Sequence, residues 1–275
     1  MASIKSILTG DKFHLAASVF NPLSAVMAYD AGFECGVVGG SVVAANLDIC
    51  PDYGLITLSE LVDCVRRISL NSTLPIIVDG DSGYGNALNT QRLVRELESV
   101  GAAAVTLEDS VLPFQYQRRH VLSSLDEHRD KLNAALEARK NNQFSIIART
   151  SYQSAEGTPS LLKRIEAYSQ TKVDALCIFG DVKQAELRII RELSDKPIML
   201  ISYGLTRSDY RMCELSGVRV LLNGHHAFEA SVIGMFNSYQ NALLGKKRDV
   251  TAKEILSKYV ATSKLDETAK RYMSL

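Results

Sequence analysis

Short apolar runs alternate with longer amphipathic stretches along the whole chain. Several of the runs, such as Pro75 to Val78, are apolar at every position, which is typical of parallel strands covered on both faces. We predict eight strands, at His14–Val19, Cys35–Val38, Pro75–Val78, Ala103–Leu107, Ser145–Ala148, Ala175–Phe179, Pro197–Ile201 and Val218–Leu222. Between them we predict helices near residues 22–31, 57–70, 87–100, 125–140, 159–170, 183–194 and 206–216, and another after Leu222.

Strands that are separated by helices indicate βαβ units and a parallel sheet. Eight such units within about 250 residues favour a closed (β/α)₈ TIM-type barrel over an open sheet. Helix boundaries agree with this division, since Thr57 and Glu60 are spaced as a capping box. No linker rich in Pro, Gly or Ser divides the chain. We therefore predict a single α/β barrel domain over residues 1–275, with residues from about 246 to 275 forming a C-terminal helical extension.

Composition narrows the possible functions. The chain has 275 residues, and 31 Lys and Arg residues balance 31 Asp and Glu residues, so no basic excess suggests nucleic-acid binding. No apolar stretch reaches the roughly 18 residues that a membrane span needs. The five cysteines show no CxxC spacing, which argues against a structural zinc site and a disulfide framework. We expect a cytoplasmic protein without nucleic-acid or membrane partners.

Two acids follow the third predicted strand, one residue apart. Asp79 and Asp81 come just before the glycine-rich turn Gly83-Tyr84-Gly85-Asn86. Alternate residues of a strand point to the same side, so both carboxylates are expected to converge just past the strand. Two carboxylates suit Mg²⁺, which keeps several waters and takes one or two protein ligands. A solvated turn explains the same spacing equally well when it is considered alone.

Polar residues follow the other predicted strands too, where the active site of a barrel is built. They include Gly39, Gly40 and Ser41 after the second strand, Glu108 and Asp109 after the fourth, Arg149 after the fifth, Asp181 after the sixth, Tyr203 after the seventh and His225 after the eighth. Each has a structural alternative: Arg149 in a salt bridge to Glu108 or Asp79, for example. Several charges at one end of buried strands are costly unless they are paired or metal-bound. Together they predict a metal site with an anionic ligand.

Five runs of the sequence resemble the isocitrate lyase/phosphoenolpyruvate mutase superfamily. They are Gly39-Gly40-Ser41, Pro51–Thr57, Val78–Asn86, Leu107-Glu108-Asp109 and Ile146–Thr150. The similarity covers nearly the whole chain and is greatest to the oxaloacetate decarboxylase branch, on stretches such as Ala17–Ala25 and Val220–His225. It implies a Mg²⁺-dependent barrel that acts on α-keto or α-hydroxy acids, usually as a tetramer with a swapped terminal helix.

The resemblance also implies a role for each matched position. Asp79 is expected to bind Mg²⁺ directly, with Mn²⁺ as an alternative ion. Three further acids are expected to hold the waters of the metal: Asp52, Asp81 and Glu108. Substrate binding is expected of Gly39, Gly40, Ser41, Arg149 and His225, the last two being catalytic. The implied function is decarboxylation of oxaloacetate, a small α-keto acid, to pyruvate and CO₂ through a metal-stabilised enolate, in a homotetramer built as a dimer of dimers.

Departures from the family pattern bear on the substrate. The lyases carry a Cys-Gly-His motif after strand four, whereas Val111–His120 contains no cysteine, which disfavours cleavage of isocitrate or 2-methylisocitrate. Ser82 stands where the decarboxylase branch often has histidine, and Asn21 where it often has aspartate. The alternatives are a C–C lyase on a substituted malate or methylisocitrate, P–C bond chemistry on phosphonopyruvate or phosphoenolpyruvate, and a non-catalytic barrel, which the retained acids disfavour. Gln115–Leu125 is predicted to form a mobile lid.

Overall fold

The computed structural model shows nine parallel strands in one sheet. It describes residues 3–47, 50, 52–112, 121–151, 157–259 and 262–273. The strands are β1 (His14–Leu15), β2 (Ala17–Ser18), β3 (Gly36–Val38), β4 (Ile76–Asp79), β5 (Ala104–Glu108), β6 (Ser145–Ser151), β7 (Ala175–Phe179), β8 (Ile198–Ser202) and β9 (Val218–Asn223). Their order is β1-β9-β8-β7-β6-β5-β4-β3-β2, with every pair parallel.

The two edges of this sheet meet at Ala16. β1 pairs with β9 and β2 pairs with β3, so the first predicted strand is divided between both ends of the sheet. The amide of Ala16 donates to the carbonyl of Leu221 at 2.8 Å, and the amide of Ala17 donates to that of Cys35 at 3.0 Å. The backbone therefore closes the ring of strands at this point. The predicted (β/α)₈ barrel is confirmed, with its first strand divided by a change of hydrogen-bonding partner.

Most helices cover the outside of the barrel, close to the predicted positions, whereas the first packs Ile4, Ile7 and Leu8 against the apolar cluster inside the barrel. They are α1 (Ile4–Thr9), α2 (Pro22–Asp30), α3 (Gly40–Leu47), α4 (Leu58–Asn71), α5 (Ala87–Ser99), α6 (Leu125–Ala138), α7 (Gly157–Ser169), α8 (Gln184–Leu193), α9 (Arg207–Leu215), α10 (His226–Leu244), α11 (Ala252–Tyr259) and α12 (Thr262–Tyr272). The sequence pattern did not predict α1 and α3, because six to eight residues are too few to establish a helical period. No helix in the described ranges is long and apolar enough to cross a membrane.

Alternation along the strands divides the core into two layers. Ile77 and Ile147 belong to the apolar cluster inside the barrel, whereas Ile76 belongs to the larger cluster between sheet and helices. Since residues two apart share a face, Asp79 and Arg149 point to the barrel interior one layer above those isoleucines. The register of the sheet thus places charged side chains directly over an apolar floor.

The C-terminal helices lie beyond the ring of strands. α10 is capped by Gly245, which has a left-handed φ of 62°, and α11 and α12 follow within the predicted extension. Met235, Tyr239 and Leu243 of α10 are more than half exposed. An apolar groove of about 580 Å³ also lies beside β1, β2 and α2. The isolated chain therefore leaves apolar surface uncovered both on α10 and beside the first strands.

Candidate active site

A cavity of about 100 Å³ opens at the carboxyl ends of the strands. Its lining includes Gly39, Ser41, Asp52, Asp79, Asp81, Thr106, Glu108, Arg149, Phe179, Tyr203 and His225. Every residue to which the family resemblance assigned a site role lines this cavity, except Gly40. Gly40 borders it, because a Cβ atom added there would lie 3.2 Å from an oxygen of Asp81. The fold therefore brings together side chains that are up to 186 positions apart in the sequence, from Gly39 to His225.

Arg149 links two of the acids. One guanidinium nitrogen lies 2.7 Å from Asp79 Oδ1, and another lies 3.0 Å from Glu108 Oε2. Burial lowers the pKa of Arg149, but the two carboxylates outweigh burial and hold the pKa well above its usual value. Arg149 is therefore a fixed cation in the wall of the cavity. The salt bridges considered as a structural alternative are present, and they lie within the cavity itself.

The carboxylates outnumber the cations in this cavity. Burial, and then the charge of Asp79, raise the pKa of Asp52 to about 6. The same two causes hold the pKa of Asp81 well above its usual value. Burial raises the pKa of Glu108 to about 7, although Arg149 opposes the shift.

This excess of negative charge fits a divalent cation. All four acids supply oxygen ligands, which Mg²⁺ prefers, and a bound cation would offset the burial and mutual repulsion that raise the pKa values of Asp52, Asp81 and Glu108. Within the described ranges, no three carboxylate, imidazole or thiol groups are grouped closely enough to ligate one ion together. The donor set therefore fits an ion that is held by few direct protein contacts and completes its coordination with water.

Asp81 reaches the cavity by a different route from the one that strand alternation suggested. β4 ends at Asp79, and Asp81 lies in the following turn with a left-handed φ of 47°. The carbonyl of Asp81 accepts a hydrogen bond of 2.8 Å from the amide of Glu108. A positive φ is uncommon in a residue with a side chain, although Asp tolerates it better than most residues. The carboxylates of Asp79 and Asp81 therefore both reach the cavity because of the turn after β4. The two-residue period of a strand does not explain this arrangement.

His225 lies against the glycines of the second strand end. Its Nδ1 is 2.7 Å from Ser18 Oγ, and its Nε2 is 3.3 Å from Ser41 Oγ. A Cβ atom at Gly39 would lie 2.9 Å from His225 Cε1, closer than side chains tolerate. Gly39 is therefore required by the approach of the imidazole. Burial lowers the pKa of His225, which favours the neutral ring.

Two aromatic residues line the cavity although the family resemblance assigned them no role. The ring centroid of Tyr203 lies 5.6 Å from that of His225, and the guanidinium of Arg149 lies 5.3 Å from the ring centroid of Phe179. Burial raises the pKa of Tyr203 to about 12, so its hydroxyl remains a donor at neutral pH. Both residues follow or end predicted strands. Aromatic residues at strand ends are also common in protein cores, so their position alone did not assign them to the site.

Other strand-end residues have structural contacts. Asp109 accepts hydrogen bonds from Tyr168 Oη at 2.7 Å and from Arg164 at 3.1 Å, behind the cavity. Asn21 caps α2 by accepting from the amide of Ser24 at 2.8 Å, a role that aspartate fills equally well. The departure at this position is therefore explained by helix capping. Residues 115–120 of the predicted lid lie outside the described residues.

The chain is similar to a protein family, to characterised enzymes and to solved structures. Residues 4–243 match the model of the family described as phosphoenolpyruvate phosphomutase. The chain is 39% identical over 277 aligned positions to oxaloacetate decarboxylase from Pseudomonas aeruginosa strain LESB58, covering 100% of this chain and 96% of that protein. It is 41% identical to the oxaloacetate decarboxylase of Chromohalobacter salexigens, covering 96% and 91% of the two chains. A solved structure of phosphonopyruvate hydrolase with oxalate and Mg²⁺ is 25% identical with a TM-score of 0.77, covering 98% of each chain.

Proposed function

Because the chain belongs to the phosphoenolpyruvate phosphomutase family, we propose that it catalyses the Mg²⁺-dependent decarboxylation of oxaloacetate to pyruvate and CO₂. The observation that carries the proposal is the convergence of Asp79, Glu108, Arg149 and His225 in one cavity. Full-length identity of 39% to an oxaloacetate decarboxylase selects this reaction among those of the family. In this role the protein is a carbon–carbon lyase acting on a small α-keto acid.

Four acids are available to hold the metal. Asp79 is the proposed direct ligand, while Asp52, Asp81 and Glu108 would hold its waters; Mn²⁺ has the same oxygen preference and is the alternative ion. Bound metal supplies Lewis-acid stabilisation of the negative charge that develops on the keto oxygen of the substrate. Arg149 keeps Asp79 and Glu108 oriented through its two ion pairs. The acids therefore need little rearrangement to receive a cation.

The other side chains of the cavity bind and orient the substrate. Gly40 and Ser41 open α3, so their amides lie at a helix N-terminus, which favours a carboxylate. Arg149 offers a planar cation to a substrate oxygen, and its charge stabilises the enolate that remains after CO₂ leaves. His225 lies beside Ser41 and can donate a hydrogen bond to the substrate. Phe179 and Tyr203 form part of the wall and restrict access of water to the developing charge.

Assembly and location complete the proposal. The protein acts as a cytoplasmic homotetramer, a dimer of dimers in which a terminal helix is exchanged between neighbouring subunits. The exposed apolar side chains of α10 and the apolar groove beside β1 and α2 support this arrangement, because apolar patches of this kind mark interaction sites. Residues 1–275 act as one catalytic domain, in which the extension from about residue 246 supports the exchanged helix. Size-exclusion chromatography with light scattering tests the assembly, and a monomer at micromolar concentration would contradict it.

A substrate panel tests the reaction. Purified protein with Mg²⁺ is incubated with oxaloacetate, 2-methylisocitrate, dimethylmalate or phosphonopyruvate, and pyruvate is measured by a coupled assay. Oxaloacetate should give the highest kcat/KM, after subtraction of its spontaneous decarboxylation with Mg²⁺ alone. If another substrate is converted and oxaloacetate is not, the proposed reaction is wrong and the reaction of that substrate takes its place. The Asp79→Ala variant provides the inactive control.

A further inference from the structure

A buried serine contacts the site histidine from outside the cavity. Ser18, on β2, is 8% exposed, and its Oγ lies 2.7 Å from Nδ1 of His225. Ser18 does not line the cavity of the candidate site. Its hydroxyl contacts the imidazole at Nδ1, the ring nitrogen that does not contact Ser41.

The hydrogen-bonding needs of this pair select one tautomer. Within the described residues, the only hydrogen-bond partner of the Ser18 hydroxyl is His225 Nδ1. If Nδ1 carried the ring proton, it would donate to the serine oxygen, and the buried serine proton would lose its acceptor. If Ser18 donates to Nδ1 instead, both groups are satisfied and the neutral ring carries its proton on Nε2.

The Nε2 edge of the ring faces the cavity. Nε2 lies 3.3 Å from Ser41 Oγ, a long contact that a ligand oxygen can replace. Gly39 provides the space for this edge, since an added Cβ would lie 2.9 Å from Cε1 and 3.3 Å from Nε2. Backbone closure of the barrel at Ala16 and the adjacent β2 fix Ser18 relative to β3, which ends next to Gly39.

The geometry points to Ser18 as a positioning residue that holds His225 as the Nε2–H tautomer, so that the imidazole presents a hydrogen-bond donor to an oxygen of the substrate. The tautomer is a property of the ligand-free protein. Only the effect on turnover rests on the proposed decarboxylation. An imidazole in the other tautomer would present a lone pair to the carboxylate or keto oxygen, which repels it.

Nuclear magnetic resonance of ligand-free protein labelled with ¹⁵N-histidine tests the tautomer directly. Two-bond ¹H–¹⁵N correlations distinguish Nε2–H from Nδ1–H, and a His225→Gln sample assigns the signal. The wild-type protein should show His225 with its proton on Nε2, and Ser18→Ala should show a mixture of the two tautomers. A wild-type proton on Nδ1, or a Ser18→Ala spectrum with Nε2–H alone, would overturn the inference.

Kinetics test the consequence for catalysis. Ser18→Ala should lower kcat for oxaloacetate roughly tenfold, as expected for loss of one oriented hydrogen bond in a buried site, with a smaller change in KM. Ser18→Thr keeps the hydroxyl and should recover most of the activity. Ser145→Ala removes another buried serine, one at the opposite end of β6 from Arg149, and should leave both tautomer and kcat unchanged. If the wild-type protein fails to decarboxylate oxaloacetate, the proposed function fails, while the tautomer result still decides the role of Ser18.

Discussion

Arg149 of β6 and Asp79 of β4 form an ion pair of 2.7 Å in the barrel interior, although β5 lies between their strands. The residue proposed to bind the metal is therefore already paired with a fixed cation. The same guanidinium contacts Glu108 at 3.0 Å, so one side chain connects two of the four acids. Movement of Arg149 would alter both the metal site and the substrate site.

Arg149→Lys should lower kcat about 100-fold, a loss in the range measured when one charge-stabilising donor is removed. A lysine presents one point charge and cannot bridge two carboxylates in the planar geometry of a guanidinium. Steady-state kinetics with oxaloacetate measure the effect. Arg139→Lys is the matched control, because Arg139 pairs with Asp174 at the other end of the barrel. An Arg149→Lys enzyme with wild-type kcat would contradict the proposed role.

Mg²⁺ should raise the melting temperature of the wild-type protein, because an ion that binds only the folded state stabilises it by about 2.7 kcal/mol at 100 times its dissociation constant. Asp79→Asn should abolish this shift, whereas Asp63→Asn, on the exposed face of α4, should retain it. Differential scanning fluorimetry with and without Mg²⁺, after treatment with a chelator, measures the shift in melting temperature of each protein. An equal shift in the wild type, Asp79→Asn and Asp63→Asn would show that the ion binds elsewhere.

Gly39→Ala should lower activity strongly, because the new methyl group would lie 2.9 Å from His225 Cε1 and displace the imidazole. The closest comparison is Gly234→Ala in α10, where an added Cβ meets nothing within 4 Å. That variant should be as active as the wild type. Circular dichroism establishes folding of both variants before kcat is compared. Full activity of Gly39→Ala would show that the imidazole tolerates displacement.

His128 should make the fold sensitive to mild acid. Burial lowers the pKa of His128 to about 3 in the folded protein, with Lys131 and Arg164 adding to the shift, against an ordinary value of 6.5. Below pH 6.5 the unfolded chain takes up a proton that the folded chain does not. Stability is therefore lost as the pH falls towards 3, by about 2 kcal/mol at pH 5.

Urea denaturation between pH 7 and pH 4.5 measures this contribution. His128→Gln removes the titrating group, so its free energy of unfolding should fall less steeply over the same range. His226→Gln serves as the control, since the His226 side chain is 67% exposed. Identical slopes for the wild type and His128→Gln would contradict the assignment of the acid sensitivity to His128.

Much of this protein can be predicted from local pattern. Apolar runs and amphipathic stretches gave the barrel, since the periods of strand and helix are local properties. Strand-end position identified Asp79, Glu108 and Arg149, because the carboxyl ends of parallel strands meet at one face. The two short helices α1 and α3 were not predicted, because they contain too few residues to establish a helical period.

Other features depend on contacts that no local pattern encodes. The division of the first strand at Ala16 arises from closure of the ring, which requires β1 and β2 to face different neighbours. The turn that directs Asp81 into the cavity depends on a left-handed conformation held by the amide of Glu108.

The sequence by itself determined the alternation of strands and helices and the chemical character of the strand ends, because both follow from which residue types occur at which spacing. Only the tertiary structure decided which of those side chains meet. Ser18 and His225, 207 positions apart, form a hydrogen bond because the ring of strands closes at Ala16, where β1 meets β2. Such pairing depends on the distance between strand ends in the folded protein, and the number of residues between two positions does not determine that distance.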